Sequence, residues 1–307
     1  MFDVAVILVN YNSGTLTADC IQSVIEKTNP SIRYQIIVAD NCSRYDEYLA
    51  MKESCEALGF ENLQIVRSRV NTGFGGGNMF AVQYANAKYL AFINNDTVFK
   101  NDCLGIILQT MQNNSSIGIA GAQAFDGTDK FMVSLDHFAS PVREIIGRVG
   151  LEKTNSKEYP DRRRTYETPL RVNYVPGSFM FLRAEDFYAV GGFDNNLFLY
   201  YEETDLCKRL RKIGRDAYLV PTAEYVHYHG ASTKKSIVIK KELKISLLYI
   251  MRKHYGISGY FSVHIFLIIK YFFSGLLKPK HFPLFLFLLR GAPLTESLKQ
   301  KQVVAEK

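Results

Sequence analysis

The feature that most constrains the fold is an alternation of short apolar runs with helical repeats over the first 125 residues. Continuous, β-branched runs of this length predict buried strands, at residues 4–9, 36–39, 63–67, 89–93 and 117–121. Between them, apolar residues recur at helical spacing, at residues 16–25, 46–58, 76–87 and 102–112. This order of elements predicts an α/β fold with a Rossmann-like, doubly wound, mostly parallel sheet.

The alternation is lost at residues 127–170. The polar stretch at 152–167, which carries three consecutive arginines, predicts a mobile loop over a site. Regular structure is predicted again in four segments, at residues 172–176, 179–183, 202–213 and 217–220. Gly177 lies between the first two of these segments.

Four loops that follow predicted strands each begin with a polar residue. They begin at Asn10-Tyr11-Asn12, Asp40-Asn41, Asn71 and Asn94-Asn95-Asp96. The carboxyl ends of parallel strands meet at one edge of a sheet, where open α/β sheets bind ligands. Amide and carboxylate oxygens suit Mg²⁺ or Mn²⁺, and these ions suit a diphosphate. The sequence therefore predicts a site for a metal-bound nucleotide at this edge.

The third loop, at residues 71–78, has four glycines in five positions around Phe74. Glycine permits positive φ and a close approach of the backbone to a ligand. The candidate ligand contacts in this loop are Asn71, Gly73, Phe74, Gly77 and Asn78. No Lys-Ser/Thr pair follows, so the segment is not a Walker loop.

Acidic and imidazole side chains near two later elements could complete such a site. Glu202, Glu203 and Asp205 crowd the predicted start of a helix, where they could stabilise the helix dipole or supply a general base. His227 and His229 follow a strand, and alternate residues of an extended chain point in opposite directions. One imidazole could therefore join a metal shell, while the alternative is a packed surface histidine, favoured for His229.

The chain after residue 233 differs in composition from the rest. Residues 231–307 hold 14 Lys/Arg and 3 Asp/Glu, whereas residues 1–230 hold 23 and 27. The apolar run at 257–277 is interrupted by Lys270, so it predicts a helix in the interface of an anionic membrane. A helical pair packed on the core, or on a second subunit in an oligomer, is the alternative. Nucleic acid is disfavoured because phosphate binding would not use these aliphatic side chains.

The cysteines and the N-terminus indicate the compartment. The five cysteines have no paired spacing and mostly lie in apolar or helical contexts, which predicts buried free thiols in a reducing compartment. The chain enters a strand directly after Met1, with no basic region or cleavage site, so no secretory signal is expected. With a membrane-binding tail, the expected location is the inner face of the cell membrane.

Seven short motifs occur in register and together resemble family 2 glycosyltransferases, in particular the rhamnosyltransferase-like branch of bacterial surface polysaccharide synthesis. They cover about residues 3–233 and are Val9-Asn-Tyr-Asn-Ser13, Val38-Ala-Asp-Asn-Cys-Ser43, Asn71-Thr-Gly-Phe-Gly-Gly-Gly-Asn78, Ile93-Asn-Asn-Asp-Thr97, Gly191-Gly-Phe-Asp194, Glu202-Glu-Thr-Asp-Leu206 and His227…Ser232.

The resemblance implies a GT-A fold and a divalent metal, Mg²⁺ or Mn²⁺, held by an Asp-x-Asp-type motif. Asp96 matches the carboxylate of that motif, and His227 matches a histidine at or near the metal. Asp40 matches the pyrimidine-contacting aspartate of the family. Glu203 falls where relatives place a catalytic aspartate, and the choice between Glu202 and Glu203 as the base stays open.

The resemblance also implies a division of labour along the chain. Residues 1–125 are expected to form the nucleotide-binding half and residues 126–233 the acceptor-binding half, while composition sets residues 234–307 apart as the basic helical tail. Gly177 and Asp205 are expected to contact the acceptor.

The expected activity is inverting transfer of a sugar from a UDP- or dTDP-sugar to a glycan or lipid-linked saccharide. Rhamnose is one candidate for the transferred sugar. Two alternatives stay open. A nucleotidyltransferase would need a basic, glycine-rich loop after the first strand, and residues 10–14 contain no Lys or Arg. A non-catalytic sugar-nucleotide or glycan-binding protein would bind the same ligands without turnover.

Overall fold

The computed structural model describes residues 1–228 and 236–306. The predicted boundary between residues 233 and 234, together with His229 and Ser232, lies outside these ranges. The strands are β1 (Phe2–Asn10), β2 (Tyr34–Asn41), β3 (Leu63–Ser68), β4 (Ala87–Asn94), β5 (Thr97–Phe99), β6 (Ile117–Phe125), β7 (Leu170–Val172), β8 (Phe179–Arg183) and β9 (Asp216–His227). The α-helices are α1 (Gly14–Lys27), α2 (Tyr45–Glu56), α3 (Gly73–Val82), α4 (Cys103–Asn113), α5 (Pro141–Thr154), α6 (Ala184–Ala189), α7 (Glu202–Lys212), α8 (Ile237–Leu277) and α9 (Phe282–Leu289).

One sheet runs through the described part of the chain, in the order β3-β2-β1-β4-β8-β6-β9-β5, with β7 beside β9. Strands β3, β2, β1 and β4 are mutually parallel. Strand β8 is antiparallel to both β4 and β6, so the second half of the sheet is mixed. The predicted α/β fold class is confirmed.

The register of the parallel strands sets the position of the site. Asn10 at the end of β1 lies beside Asp40 of β2, and Val9 lies beside Asn94 of β4. Three strands therefore end on polar residues at the same level, which is the edge that the sequence predicted.

Apolar side chains fill both faces of the sheet. One cluster packs β1, β2 and β4 against α1, α2 and α4, with Leu8 and Ile36 fully buried. A second cluster packs the opposite face against α3, α6 and α7. A third cluster packs α8 against α9 in the C-terminal region. Four cysteines are buried and Cys42 is partly exposed, all as free thiols, as predicted.

Residues 127–170 contain a helix that the sequence did not predict; it ends at Thr154, at the start of the segment 152–167 that was predicted to be a mobile loop. Helix α5 lies within them; the Ser140 side chain accepts a hydrogen bond from the Arg143 N–H, and a proline occupies the first turn. This capping signal was overlooked because the helix has few buried apolar residues. Ion pairs tie down the following segment, since Glu158 contacts Arg211 at 2.7 Å.

The remaining differences concern the ends of elements. Helix α3 begins at Gly73 instead of residue 76, α6 was not predicted, and β9 is much longer than residues 217–220. Helix α8 is kinked at Gly256, whose φ of 68° is left-handed, directly before the apolar run predicted at 257–277. By length and composition α8 is apolar enough to cross a membrane.

Candidate functional site

A buried polar network joins the ends of β1, β2 and β4. The Asn10 amide nitrogen donates to Asp40 at 2.9 Å and to the Ser43 hydroxyl at 3.2 Å. The Asn10 carbonyl oxygen accepts from Thr17 at 3.0 Å and from Asn95 at 3.3 Å. Buried polar groups are expensive unless they are paired, and these are. Asn10 and Asn95 therefore fix three strand-end loops relative to one another.

The glycine-rich segment is held by Asn41, the last residue of β2. Its amide nitrogen donates to the Gly73 carbonyl at 2.9 Å, and its oxygen accepts from the Thr72 N–H at 3.0 Å. Asn71 in turn accepts from the Gly73 N–H at 2.9 Å. Gly73 has a φ of 76°, and a Cβ there would lie 2.0 Å from the Phe198 carbonyl oxygen. Glycine is required at this position for both reasons.

These loops surround a cleft of about 460 Å³, a size suited to a small-molecule ligand. The predicted donor contacts that line it are Tyr11, Asn71, Gly73, Phe74, Asn78, Asn94, Asn95 and Asp96. Its other lining residues are Val9, Ser13, Asn41, Ile93, Phe198, Leu199, Ile239, Leu298 and Gln302. Asn41 is the main omission from the sequence-based list of site residues, although it follows Asp40 directly in a strand-end motif.

A second pocket of about 430 Å³ shares Tyr11 with the cleft. It is lined by Tyr11, Asn12, Cys42, Ser43, Arg44, Tyr45, Arg67, Ala305 and Glu306. The Arg67 guanidinium lies over the rings of Tyr45 and Tyr48, at 5.0 and 4.5 Å. An aromatic ring and a cation that face the same space can bind a flat, polar ring.

Asp40 and Gly77 are placed differently from their predicted roles. Asp40 is fully buried and lines neither pocket; its carboxylate accepts from Asn10 and from the Ser43 N–H. Alternate residues of β2 face opposite sides of the sheet, so Asn41, and not Asp40, reaches the cleft. A Cβ at Gly77 would lie 2.9 Å from Val9, so this glycine lets α3 pack closely on the sheet.

Asp96 and His227 form the pair predicted to bind a metal. His227 Nε2 lies 3.1 Å from Asp96 Oδ1, and both residues are buried. Strand β9 brings them together, because Thr97 of β5 pairs with His227. Within residues 1–228 and 236–306 no group of three His, Cys, Asp or Glu side chains is arranged to hold a metal. One carboxylate and one imidazole nevertheless fit Mg²⁺ or Mn²⁺, which bind few protein ligands when nucleotide phosphates and water fill the rest.

Glu203 is held by the backbone of Gly177, in a segment that pairs with the end of β4. The Gly177 N–H donates to Glu203 Oε1 at 3.1 Å. The next residue, Ser178, accepts through its carbonyl from the N–H of the cleft residue Asn94 at 3.1 Å. A Cβ on residue 177 would lie 2.5 Å from Glu203 Oε1, so only glycine leaves this carboxylate in place. Burial raises the pKa of Glu203, as a general base requires.

The Glu202 side chain is buried, whereas the Glu203 side chain is partly exposed. The Glu202 side chain lies beneath Gly75 of α3, and its Oε1 atom is buried with no hydrogen-bond partner. Burial, followed by the charge of Glu203, raises the pKa of Glu202 well above its ordinary value. The two residues before it, Tyr200 and Tyr201, have φ values of 75° and 72°. Successive left-handed non-glycine residues are strained, and such strain concentrates at functional sites.

Asp205 does not face the cleft and is corrected to a structural role. Its carboxylate, which is fully buried, contacts Arg209 at 2.8 Å and both Lys253 and His254 at 2.7 Å. These contacts lock α7 to α8. A carboxylate that is occupied in this way has no free oxygen for an acceptor sugar.

Two features of the site were not predicted. The first is a polar cluster beside Glu203: Asp136 accepts from Tyr174 at 3.0 Å and from Arg148 at 2.8 Å. Burial opposes ionisation of Asp136, but the Arg148 hydrogen bond and the charges of Arg148 and Arg162 outweigh it and lower its pKa. The charge of Asp136 contributes to the raised pKa of Glu203.

The second is a segment that we call the C-terminal strap, residues 294–306. Leu298 and Gln302 line the cleft, and Ala305 lines the second pocket. Buried Glu242 of α8 accepts from the Leu298 N–H at 2.7 Å. At the other end, Arg69 donates to the Ala305 carbonyl, and the Ala305 N–H donates to the Arg69 carbonyl at 2.7 Å. The strap therefore crosses the mouth of both pockets.

Comparison with known proteins connects this arrangement to one family. Residues 5–190 match the family model described as Glycosyl transferase family 2. The rhamnosyltransferase WbbL of Escherichia coli (strain K12) is 29% identical over 253 residues, which are 76% of this chain and 89% of that protein.

A shorter match and a solved structure complete the comparison. An N-acetylglucosaminyl-diphospho-decaprenol L-rhamnosyltransferase of Mycobacterium tuberculosis (strain CDC 1551 / Oshkosh) is 33% identical over 87 residues, 28% of each chain. The mannosyltransferase PcManGT from Pyrobaculum calidifontis, solved with GDP-Man and Mn²⁺, superposes with a TM-score of 0.57 at 13% identity. The superposition covers 96% of this chain and 89% of that one. At this identity the structural match shows the fold alone, and it agrees with the predicted GT-A architecture.

Proposed function

The chain belongs to glycosyl transferase family 2 and is a glycosyltransferase, and from this premise we propose that it moves a sugar, rhamnose first among the candidates, from a UDP- or dTDP-sugar to a lipid-linked saccharide. The observation that carries the proposal is the convergence of strand-end loops on one cleft that Asp96 lines, with His227 at 3.1 Å from the Asp96 carboxylate. Glu203 is connected to the same strand ends, because the Gly177 N–H donates to it and the next residue, Ser178, accepts from the N–H of the cleft residue Asn94. The similarity to bacterial rhamnosyltransferases supports the choice of sugar and a role in surface polysaccharide synthesis.

The donor would occupy the cleft and the second pocket together. Backbone and amide groups at 71–78 and at Asn94–Asn95 face the cleft, where they can bind phosphate and ribose oxygens. The second pocket offers the Tyr11 ring and the Arg67 guanidinium to a nucleobase. Asp40 would act indirectly, by fixing the loop that carries Ser43.

Asp96 and His227 would hold Mg²⁺ or Mn²⁺, which when bound offsets the charge that grows on the leaving diphosphate. The chain itself would position this diphosphate, because Asn94 and Asn95 precede Asp96 at the end of β4. Mn²⁺ in the PcManGT structure supports a divalent ion in this fold.

Glu203 would act as the general base. Its carboxylate would accept the proton of the acceptor hydroxyl as that oxygen attacks the anomeric carbon, and the nucleoside diphosphate would leave from the opposite face with inversion. Support comes from its Gly177 contact, since the next residue, Ser178, pairs with the cleft residue Asn94, and from its raised pKa. Glu202 is less suited because it is enclosed under α3.

The basic tail would bring the enzyme to the inner face of the cell membrane, where a lipid-linked acceptor resides. The second arm of α8, which is the part after the kink at Gly256, exposes a row of large apolar side chains. These are Ile257, Phe261, Ile265, Ile269, Phe273 and Leu276. Apolar residues beside lysines and arginines suit the interface of an anionic bilayer.

The test is a panel of sugar nucleotides incubated with the protein and Mn²⁺, first without acceptor and then with saccharide-diphosphate lipids. We expect hydrolysis of a dTDP- or UDP-deoxyhexose and, with the acceptor, a disaccharide of inverted anomeric configuration. Binding of the donor without hydrolysis or transfer under any condition would instead support the non-catalytic alternative. Release of pyrophosphate from a nucleoside triphosphate would support the nucleotidyltransferase.

A further inference from the structure

Helix α5 has inverted polarity. The exposed side chains among residues 141–150 are aliphatic: Val142, Ile145, Ile146 and Val149 are 55%, 53%, 46% and 43% exposed. Arg143, by contrast, is 3% exposed. A helix on the surface of a soluble domain normally buries its apolar face and exposes its charges. The opposite arrangement is expected where the outer face meets an apolar medium.

The inner, charged side of α5 faces the catalytic region. The buried Arg143 guanidinium donates to the His137 carbonyl at 2.8 Å. Arg148 donates to both oxygens of Asp136, at 2.8 and 2.9 Å, and its side chain remains 41% exposed. Arg162 approaches the same carboxylate at 3.5 Å. Asp136 also accepts from Tyr174 at 3.0 Å, and Tyr174 lies three residues before Gly177, whose N–H donates to Glu203 at 3.1 Å. These arginines are therefore connected to the segment that holds the proposed base.

The surroundings of α5 are apolar and cationic together. Helix α5 packs against α8, whose second arm carries the exposed apolar row described above. Residues 141–164 contain seven Lys/Arg and four Asp/Glu. An aliphatic face bordered by excess positive charge complements a surface that is apolar inside and anionic at its edge, such as a bilayer with acidic headgroups.

We propose that α5 is the lipid-facing wall of the acceptor site: its four aliphatic side chains enter the bilayer, and Arg148 and Arg162 meet the anionic phosphate link of a lipid-borne saccharide beside Glu203. This inference rests on the proposed function and adds to it the surface that meets the bilayer and the residues that select the lipid-linked acceptor. The kink at Gly147, where φ is 76° and ψ is 171°, separates Ile145 and Ile146 from Arg148. The apolar and cationic groups can therefore point in different directions on one short helix.

The first experiment measures vesicle binding, which needs no turnover. The full chain is floated with vesicles of phosphatidylethanolamine and phosphatidylglycerol, and Ile145→Ser/Ile146→Ser is compared with Leu49→Ser/Ile213→Ser. The control residues are 46% and 48% exposed but lie on α2 and at the end of α7. We expect the α5 variant to bind about tenfold more weakly and the control to bind like wild type, because two aliphatic side chains leave the lipid.

Equal binding by all three proteins would overturn the proposal. A change in oligomeric state of the α5 variant, seen by sedimentation, without a change in vesicle binding would also overturn it, and would assign the face to a second copy of the chain.

The second experiment tests the phosphate contact by comparing acceptors. Arg148→Gln is expected to raise KM about tenfold for a saccharide-diphosphate lipid, and Arg148→Lys less, because lysine keeps the charge but loses the planar fork. KM for the matching uncharged alkyl glycoside should stay close to the wild-type value. Equal increases for both acceptors would reject the phosphate contact. If the wild-type protein transfers sugar to neither acceptor, the proposed function fails, while flotation still decides whether α5 faces lipid.

Discussion

The two sides of the cleft are constructed in different ways. On the donor side, the functional groups come from loops that directly follow β1, β2 and β4, and strand register fixes their relative positions. On the acceptor side, Glu203, Gly177 and Asp136 come from segments separated by tens of residues, and contacts between those segments set their positions. The donor side should therefore tolerate change outside its few polar contacts, whereas small changes on the acceptor side should displace the catalytic group.

The largest effect is expected from Glu203→Gln, which keeps the shape of the side chain and removes the base. We expect kcat to fall by about 10²–10⁴ while donor affinity stays near wild type. Calorimetric titration with the donor, followed by steady-state assays, measures both. Glu185→Gln, an exposed acid on α6, is the matched control.

The pH dependence follows from the same carboxylate. Burial raises the pKa of Glu203, and the base acts when it is deprotonated, so activity should be lost as pH falls through a pKa above that of a solvated glutamate. If Glu202→Gln abolishes the fall in activity at low pH while Glu203→Gln retains it, then the general base is Glu202.

Removal of the metal pair should have the next largest effect, this time on the donor side. Asp96→Asn takes away the carboxylate next to His227, and we expect kcat/KM to fall by about 10², together with a higher Mn²⁺ concentration for half-maximal activity. EDTA should inactivate the wild-type enzyme, and added Mn²⁺ should restore it. Asp129→Asn, whose side chain is 72% exposed, serves as the control. Full activity of the wild type in EDTA would contradict metal dependence.

The donor side and the acceptor side also differ in how much of each the sequence predicts. Asn10, Asn94 and Asp96 were identifiable because each stands at a strand end, and the period of two in β2 could have separated the buried Asp40 from Asn41. The assignment of Asp205 failed because its partners Lys253 and His254 lie on a helix about 50 residues away. No local pattern reports such a contact. Helix α5 escaped prediction for a related reason: Arg143 is buried while Val142, Ile145, Ile146 and Val149 are exposed, which reverses the pattern that marks a helix.

Gly177→Ala sharpens the comparison because it changes the acceptor side without touching a charge. A Cβ would lie 2.5 Å from Glu203 Oε1, so the carboxylate must move, and we expect kcat to fall about tenfold to a hundredfold. The folded structure should persist, because only the end of one side chain is displaced. Gly59→Ala has open space around it but a φ of 66°, so it controls for glycine replacement as such. Wild-type kcat in Gly177→Ala would show that the position of Glu203 is not critical.

The smallest effect is expected at the C-terminal strap, which lines both the cleft and the second pocket. Arg69→Ala removes the guanidinium that binds the Ala305 carbonyl while leaving the backbone hydrogen bond between the same residues. The loss of one exposed charge-assisted contact is worth about 1 kcal/mol, so the donor KM should rise no more than about fivefold, with kcat unchanged. Limited proteolysis of the strap should become faster by a similar factor.

Arg33→Ala is the control for the strap, because Arg33 is an exposed arginine that pairs with Asp3 on the opposite end of β1. If Arg69→Ala accelerates proteolysis but leaves the donor KM at the wild-type value, the strap covers the cleft without contributing to donor binding. The donor side would then consist of the strand-end loops alone. A rise in KM would show that a segment more than 200 residues away in sequence completes the site, and that the donor side shares the long-range construction of the acceptor side.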